Sequence, residues 1–300
     1  MAFRRVVIAG FGLIGASFAL AVRRVAPATV IEAVDVPEQL ARLRGLSAAD
    51  RVESVDALPR LAVNADLVVL AAPAQHIPML IDDVAGAIGP GTLVTDVAGA
   101  KSAICAHAAK TLGGGAFIGG HPMSGSERSG AYAADALLFH QRPWILCPLP
   151  GVNPDRMLDL IRFVESLGAR PITLDPAEHD RLVAMISHLP QLLATALMRT
   201  VGGAVEDRDL AFKIAGNGFR DMTRLAASDF RPWSGVLSGN RADIERALDE
   251  FEATWRDLRR RLRDGEIEGL WNEAATMRRR VLDRTLEAVP RTRPLVDAKG

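Results

Sequence analysis

The chain of 300 residues is short of cysteine, short of net charge and short of long apolar runs, and each shortage closes off a class of protein. Its two cysteines, Cys105 and Cys147, stand far apart and outside any metal-ligand spacing. That excludes a disulfide scaffold and a cysteine-based metal site, and two buried thiols in a reducing compartment are expected, with no metal. Lysine plus arginine and aspartate plus glutamate both total 36. The balance leaves no basic field to draw in nucleic acid or an anionic membrane, so neither is expected as a partner. No uncharged apolar run reaches the ~20 residues of a membrane helix. No charged leader with a cleavage site opens the chain, and there is no internal repeat. A cytoplasmic protein is expected.

What the chain has is core. Hydrophobic residues make up 49% and charged residues 24%, which argues against disorder, and the length suits two domains. Short apolar runs at 5–9, 30–35, 67–71, 93–97, 117–119 and 144–147 read as buried strands, with helix-like stretches such as 15–25 and 101–112 between them. A helix at 154–167 and a closing strand at 170–174 follow. Strand–helix alternation predicts an α/β fold, a Rossmann-type doubly wound parallel sheet, over residues 1–175. From there the strands stop. Apolar residues recur three and four apart over 178–201, 210–214, 244–262 and 267–288, so residues 176–300 are expected to form an all-helical domain. The tail from Pro290 is expected to fray.

Gly10-Phe11-Gly12-Leu13-Ile14-Gly15 follows the first strand and opens the first helix. The first glycine permits a tight turn, the second lets a pyrophosphate approach the backbone, and the third lets helix pack on strand. Asp35 ends the second strand twenty residues after Gly15, where a carboxylate reaches the adenine ribose hydroxyls. A plain turn-capping role is the alternative for Asp35. Ala72-Pro73, after the fourth strand, and Asp96-Val97-Ala98, after the fifth, fall on the same carboxyl edge. Val36 and Pro37 offer no cation for a 2′-phosphate, so NAD is the expected cofactor.

The stretch from Gly119 to Gly130 places His121 just beyond a strand end at that edge. Imidazole is the usual acceptor for an alcohol proton when a hydride leaves for a nicotinamide. A histidine that only ties the loop is the competing reading. His179-Asp180, Ser187-His188-Leu189-Pro190-Gln191 and the run from Gly216 through Arg220, Asp221 and Arg224 to Trp233 form two further clusters. Arg220 and Arg224 fit a bidentate carboxylate clamp and an ordinary helix surface equally well. His76, His107 and His140 have no such setting.

GxGLIG, GGHPMSGSExSG, HDxxxxxxSHLP and GFRDxTRxAxSD occur here in the order and spacing of the prephenate/arogenate dehydrogenases, and the chain resembles that family over nearly its whole length. The resemblance implies a helical dimerisation domain, a homodimer, and oxidative decarboxylation of prephenate on the way to tyrosine, with arogenate as the alternative substrate. It implies that His121 accepts the hydroxyl's hydrogen bond and Arg224 anchors a substrate carboxylate. Glu127 and Asp221 would orient or gate that arginine, Ser124, His188 and Gln191 would line the substrate pocket, and Trp233 would reach in from the partner subunit. No appended regulatory or mutase domain is expected. Two positions depart from the family pattern. Gly99 stands where a serine hydroxyl assists the catalytic histidine, with Ser124 or Ser126 as substitutes, and Gln191 stands in place of a second histidine.

NAD is expected to be turned over far better than NADP, because Asp35 repels a 2′-phosphate. Asp35→Ser combined with Val36→Arg should narrow the gap. Equal turnover of the two cofactors by the unaltered protein, followed at the nicotinamide absorbance, would refute the assignment.

Overall fold

The computed structural model describes residues 3–43, 47–113, 115–125, 130–205 and 208–287. Glu127 and Ser126 lie outside the described residues. Met1–Ala247 forms one compact unit and Leu248–Gly300 a second.

The first unit is built on one eight-stranded sheet: β1 (Arg5–Ala9), β2 (Val30–Asp35), β3 (Arg51–Ser54), β4 (Leu67–Leu70), β5 (Leu93–Asp96), β6 (Phe117–Pro122), β7 (Pro143–Pro148) and β8 (Arg170–Thr173). Their order across the sheet is β3-β2-β1-β4-β5-β6-β7-β8. The central strands are apolar on both faces. Val6 and Ile8 enter one layer beside Phe18, Trp144 and Phe163, while Val7 and Ala9 enter the other beside Leu58, Leu61 and Ile81. A strand buried on both faces loses the alternation of an amphipathic one, which is why these runs read as continuous hydrophobic stretches. The expected doubly wound sheet is therefore present, with a correction at its far side. β7 runs antiparallel to β6, with His121 opposite Ile145, and β8 is again parallel to β7. A helical crossover, which would return the chain parallel, intervenes only before β8, where α6 (Pro154–Ser166) lies.

The helices flanking the sheet include α1 (Leu13–Val25), α2 (Pro37–Leu43), α3 (Leu58–Ala62), α4 (Ile77–Ala85) and α5 (Ser102–Thr111). After β8, Asp175 accepts from the amides of Ala177 and Glu178 and Pro176 takes the first turn, an ordinary start for α7 (Pro176–Val183). The expected single helix over 178–201 is in fact interrupted. Ala184–His188 is a π-turn, in which Leu189 N–H donates to the Ala184 carbonyl, and α8 (Leu189–Ala204) resumes from there. Pro190 has no N–H to continue the ordinary ladder, so the register slips at this point. The slip matters for function. His179 and His188 are nine residues apart, which in an unbroken α-helix puts them on opposite faces. One inserted residue brings them within roughly 80° of each other, and both are buried.

Pro176–Ala204 spans 29 residues and contains an 18-residue window with a mean hydropathy of 1.3, long and apolar enough by length and composition to cross a membrane. It also carries four buried polar side chains, His179, Asp180, His188 and Gln191, all hydrogen-bonded within the fold. That is the signature of a core helix. α9 (Arg208–Lys213), α10 (Asn217–Thr223), a 3-10 turn (Arg224–Ala227) and α11 (Phe230–Gly239) follow. The second unit contains the later part of α12 (Arg241–Asp264) and α13 (Ile267–Glu287). Among the described residues no strand follows Thr173, as expected.

Candidate active site

The strand order reverses direction between β1 and β4, which opens a crevice at their carboxyl ends. The glycine loop sits at that crevice. Gly10 has φ +94°, and a Cβ there would fall 2.7 Å from the Ala71 carbonyl carbon and the Ala72 nitrogen. The loop after β1 and the Ala72-Pro73 loop after β4 thus touch backbone to backbone. A Cβ on Gly15 would lie 2.1 Å from the Gly10 oxygen, so only glycine lets α1 close on the turn. Gly12 is the opposite case, with nothing within 4 Å of a built Cβ, leaving open space before the amides of Leu13 and Ile14. Asp35 binds this loop directly, accepting from Phe11 N–H at 2.7 Å and from Val36 N–H at 2.7 Å. Each carboxylate oxygen has a second lone pair, so the capping and ribose-binding readings coexist. The residues present fit a dinucleotide.

His121 lies inside β6 rather than beyond it, because the strand continues past its last pairing with β5 by pairing with β7. Its neighbour Gly120 is packed against β5 so closely that a Cβ would come 2.3 Å from the Asp96 oxygen. Asp96 accepts from Gly120 N–H at 3.0 Å and Ala98 N–H at 2.9 Å, and pairs with the ammonium of Lys101 in complete burial. This buried pair fixes the β5 edge against the strand that carries His121. Behind His121 stands His179, with Nδ1 and Nε2 of the two rings 2.8 Å apart. His179 Nδ1 lies 2.8 Å from Asp180 Oδ1, and Asp180 also accepts from the amides of Lys101 at 2.7 Å and Ser102 at 2.8 Å. On its other side His121 Nε2 faces Gly99, 3.7 Å from where a Cβ would stand.

Burial keeps His121 and His188 neutral. Burial first, then the charges of His179, Lys101 and His188, hold His121 well below the ordinary imidazole value of 6.5. Burial draws His188 down to about 4. Burial works to raise the Asp180 carboxyl, but hydrogen bonds from His179 and Ser102 prevail and its pKa is lowered. The amide of Asn240 donates to the Asp180 carbonyl at 2.8 Å and lies 3.3 Å from His188 Nδ1. An amide nitrogen only donates, so His188 accepts at Nδ1 and carries its proton on Nε2, and a hydrogen bond with the Gly99 backbone works to raise its pKa against the larger effect of burial. His188 is thereby committed to structure on both nitrogens.

The remaining expected residues divide. Trp233 packs edge-on against His188 of its own chain, ring centres 5.9 Å apart. Gln191 donates to the Leu225 carbonyl at 2.8 Å and so ties α8 to the turn that begins at Arg224. Arg220, Asp221 and Arg224 are exposed, without a hydrogen bond or ion pair among the described residues. The Ser124 hydroxyl is enclosed and has no partner there either. Sequence reasoning missed the contributions of Asp96, Lys101, Asp180 and Asn240 and did not pair His179 with His121. The first two stand at the two ends of the run Asp96–Lys101 after the fifth strand and His179-Asp180 in the HDxxxxxxSHLP run, whereas nothing in the sequence marks Asn240.

A neutral imidazole aimed out of a nucleotide-binding edge is what a dehydrogenase requires, since it must hold an alcohol and take its proton as the carbon is oxidised. Residues 18–173 match the model of the prephenate dehydrogenase nucleotide-binding domain, and residues 175–276 that of the prephenate dehydrogenase dimerization domain. A prephenate dehydrogenase of Lactococcus lactis subsp. cremoris is 32% identical over 83% of this chain and 68% of its own length. A cyclohexadienyl dehydrogenase of Zymomonas mobilis is 29% identical over 86% of this chain and 88% of its own. The crystal structure of the A. aeolicus prephenate dehydrogenase with hydroxyphenyl propionate and NAD+ superposes with a TM-score of 0.84 at 27% identity, covering 94% of this chain and 99% of that one. The chain belongs to the prephenate dehydrogenase family.

Two outcomes follow from the packing. Gly15→Ala is expected to cost about 1–3 kcal/mol in chemical denaturation, because backbone cannot rotate away from the new methyl. Gly12→Ala should leave stability unchanged and weaken only nucleotide binding. Lys101→Met strands the fully buried Asp96 carboxylate and is expected to cost about 3–5 kcal/mol by the same measurement. A loss under 1 kcal/mol would show that the pair does not hold this edge.

Proposed function

We propose that the protein is an NAD-dependent oxidoreductase that converts prephenate to 4-hydroxyphenylpyruvate by oxidative decarboxylation in tyrosine biosynthesis, acting as a cytoplasmic homodimer. The observation that carries the reading is His121, neutral and backed by a second histidine, with Nε2 beside Gly99 at the carboxyl edge of the sheet. NAD, when bound, accepts the hydride. Gly10, Gly12, Leu13, Ile14, Gly15, Asp35, Ala72 and Pro73 would hold it.

The substrate is a non-aromatic ring with a hydroxyl on one carbon and a carboxylate on the opposite carbon. Loss of carbon dioxide makes the ring aromatic, so the protein need supply mainly orientation, a proton acceptor and a carboxylate anchor. His121 Nε2 holds the ring hydroxyl and takes its proton. Arg224, whose side chain is unpaired among the described residues and which stands on the turn that Gln191 ties to α8, anchors a carboxylate. Asp221 and Glu127 steer that arginine. Ser124, His188 and Trp233 shape the pocket wall. In this division residues 1–175 bind the nucleotide, and residues 176–300 bind substrate and dimerise, which follows the end of the sheet and the boundary between the two matched family models. The cyclohexadienyl dehydrogenase relative favours arogenate as the second candidate. NAD reduction with prephenate and arogenate side by side decides between them.

His121→Asn is expected to keep the fold and NAD binding and to lower kcat by roughly a hundred- to ten-thousand-fold. Arg224→Ala should act first on KM, raising it by roughly tens to hundreds of fold. Because an acceptor must be neutral and His121 is held below 6.5, activity should stay flat as pH falls through 6.5 and drop only at lower pH. Near-normal turnover by His121→Asn, or an acid limb centred at or above 6.5, would count against His121.

A further inference from the structure

We infer that His179 and Asp180 hold His121 in the tautomer with its proton on Nδ1, and that they take up the positive charge when His121 accepts the substrate proton. The inference rests on the reading of His121 as acceptor and adds a positioning residue, His179, that acts only through it.

The argument follows the hydrogen bonds inward from the backbone. The amides of Lys101 and Ser102 can only donate, and both donate to the Asp180 carboxylate. An ionised carboxylate can only accept, so His179 Nδ1, 2.8 Å from Asp180 Oδ1, carries a proton. A neutral imidazole has one N–H, which leaves His179 Nε2 as a lone pair. That lone pair is 2.8 Å from His121 Nδ1, which must therefore be the donor. His121 Nε2 is left as the bare acceptor, and it faces Gly99, which puts no side chain of its own in front of it. Two backbone amides thus dictate, through three side chains, which nitrogen of His121 meets the substrate. Histidine alone favours the other tautomer, with the proton on Nε2, so the arrangement is needed.

The same line of contacts accommodates the proton. As the substrate O–H bond breaks, an N–H bond forms at His121 Nε2. The Nδ1 proton then passes to His179 Nε2, so the cation ends on His179, directly against Asp180. The reverse sequence, with the Nε2 proton released after the product leaves, restores the resting state. His121 itself is a poor place for the charge. The groups that face it are His179 and Asp180 from α7, Lys101 at the head of α5 and His188 at the end of the π-turn, and only Asp180 among them is anionic. Both histidine rings meet in an edge arrangement, 5.0 Å between centres, which fixes the path between the nitrogens.

The test begins with the unaltered protein and needs no turnover. Nitrogen-15 NMR of labelled histidine distinguishes protonated from bare ring nitrogens. The expected result is His121 bare at Nε2 and protonated at Nδ1; the opposite pattern overturns the inference. Next, His179→Leu removes the acceptor, and His179→Gln offers an amide oxygen in its place. His179→Leu should lower kcat by roughly ten- to a hundred-fold, the effect of leaving a buried N–H unpaired, with NAD binding kept and with His121 shifted to the Nε2–H form. His179→Gln should recover most of the rate. Equal rates for the two variants would refute the arrangement. Loss of turnover in His121→Asn with none in His179→Leu would sink the positioning role alone. Retention of turnover in His121→Asn would sink the acceptor reading itself.

Discussion

The Asp180 carboxylate is the point through which the two halves of the active site are joined. It sits on the first helix after the sheet, yet its hydrogen-bond partners are the first amides of α5, the helix after β5. That helix has no local side-chain cap, since Lys101 precedes it and offers none. Asp180 supplies the cap from 79 residues away. Helix starts leave amides unsatisfied and concentrate positive potential there, so a carboxylate delivered from outside both stabilises the helix and is stabilised as an anion. Hydrogen bonds to a charged group contribute about 1.5–3 kcal/mol each. The same anion lies 2.8 Å from His179 Nδ1, and His179 in turn meets His121.

A second buried charge pair lies beneath the first. Asp96 and Lys101 are both fully buried, and a buried pair is costly unless its remaining hydrogen-bonding capacity is used. Asp96 uses it on the amides of Ala98 and Gly120, the residues that flank Gly99 and precede His121. The pair therefore spends its cohesion on the two loops that frame the acceptor. Lys101 has a further effect at a distance. Its charge adds to burial in holding His121 neutral.

The sequence displayed the parts whose chemistry is local. A glycine loop needs three glycines within six residues, and an acid at a strand end is read from spacing. The strands of the central sheet announce themselves by continuous apolar runs. What escaped were features set by pairing across the fold. β3 is an edge strand of partly exposed, charged residues, so its run carries no hydrophobic signal. The direction of β7 is decided by the connection before it rather than by its composition. α10 begins Asn217-Gly218 and α11 contains Pro232 and Gly235, residues that argue against helix when met alone. The meeting of His121 with His179 spans 58 residues, and the placement of His188 depends on the π-turn. His179 was visible as a motif residue, but its partner was not.

Gly99 shows how a departure from a family pattern is absorbed by its surroundings. A Cβ at this position would stand 3.1 Å from Val236 Cγ2 on α11 and 3.7 Å from His121 Nε2. Val236 thus leans into the space that a side chain would claim, and restoring a serine would require the valine to give by a few tenths of an ångström. The glycine and the valine are for this reason coupled positions, and neither is interpretable alone. A hydroxyl beside the acceptor is one way to orient a substrate alcohol. Where it is missing, orientation falls more heavily on His121, whose own direction is set by His179 and by the pairing of β6 with β7. The backbone of Gly99 is not idle either, since it hydrogen-bonds the His188 imidazole. The loop is held by its main chain where a side chain would otherwise have held it.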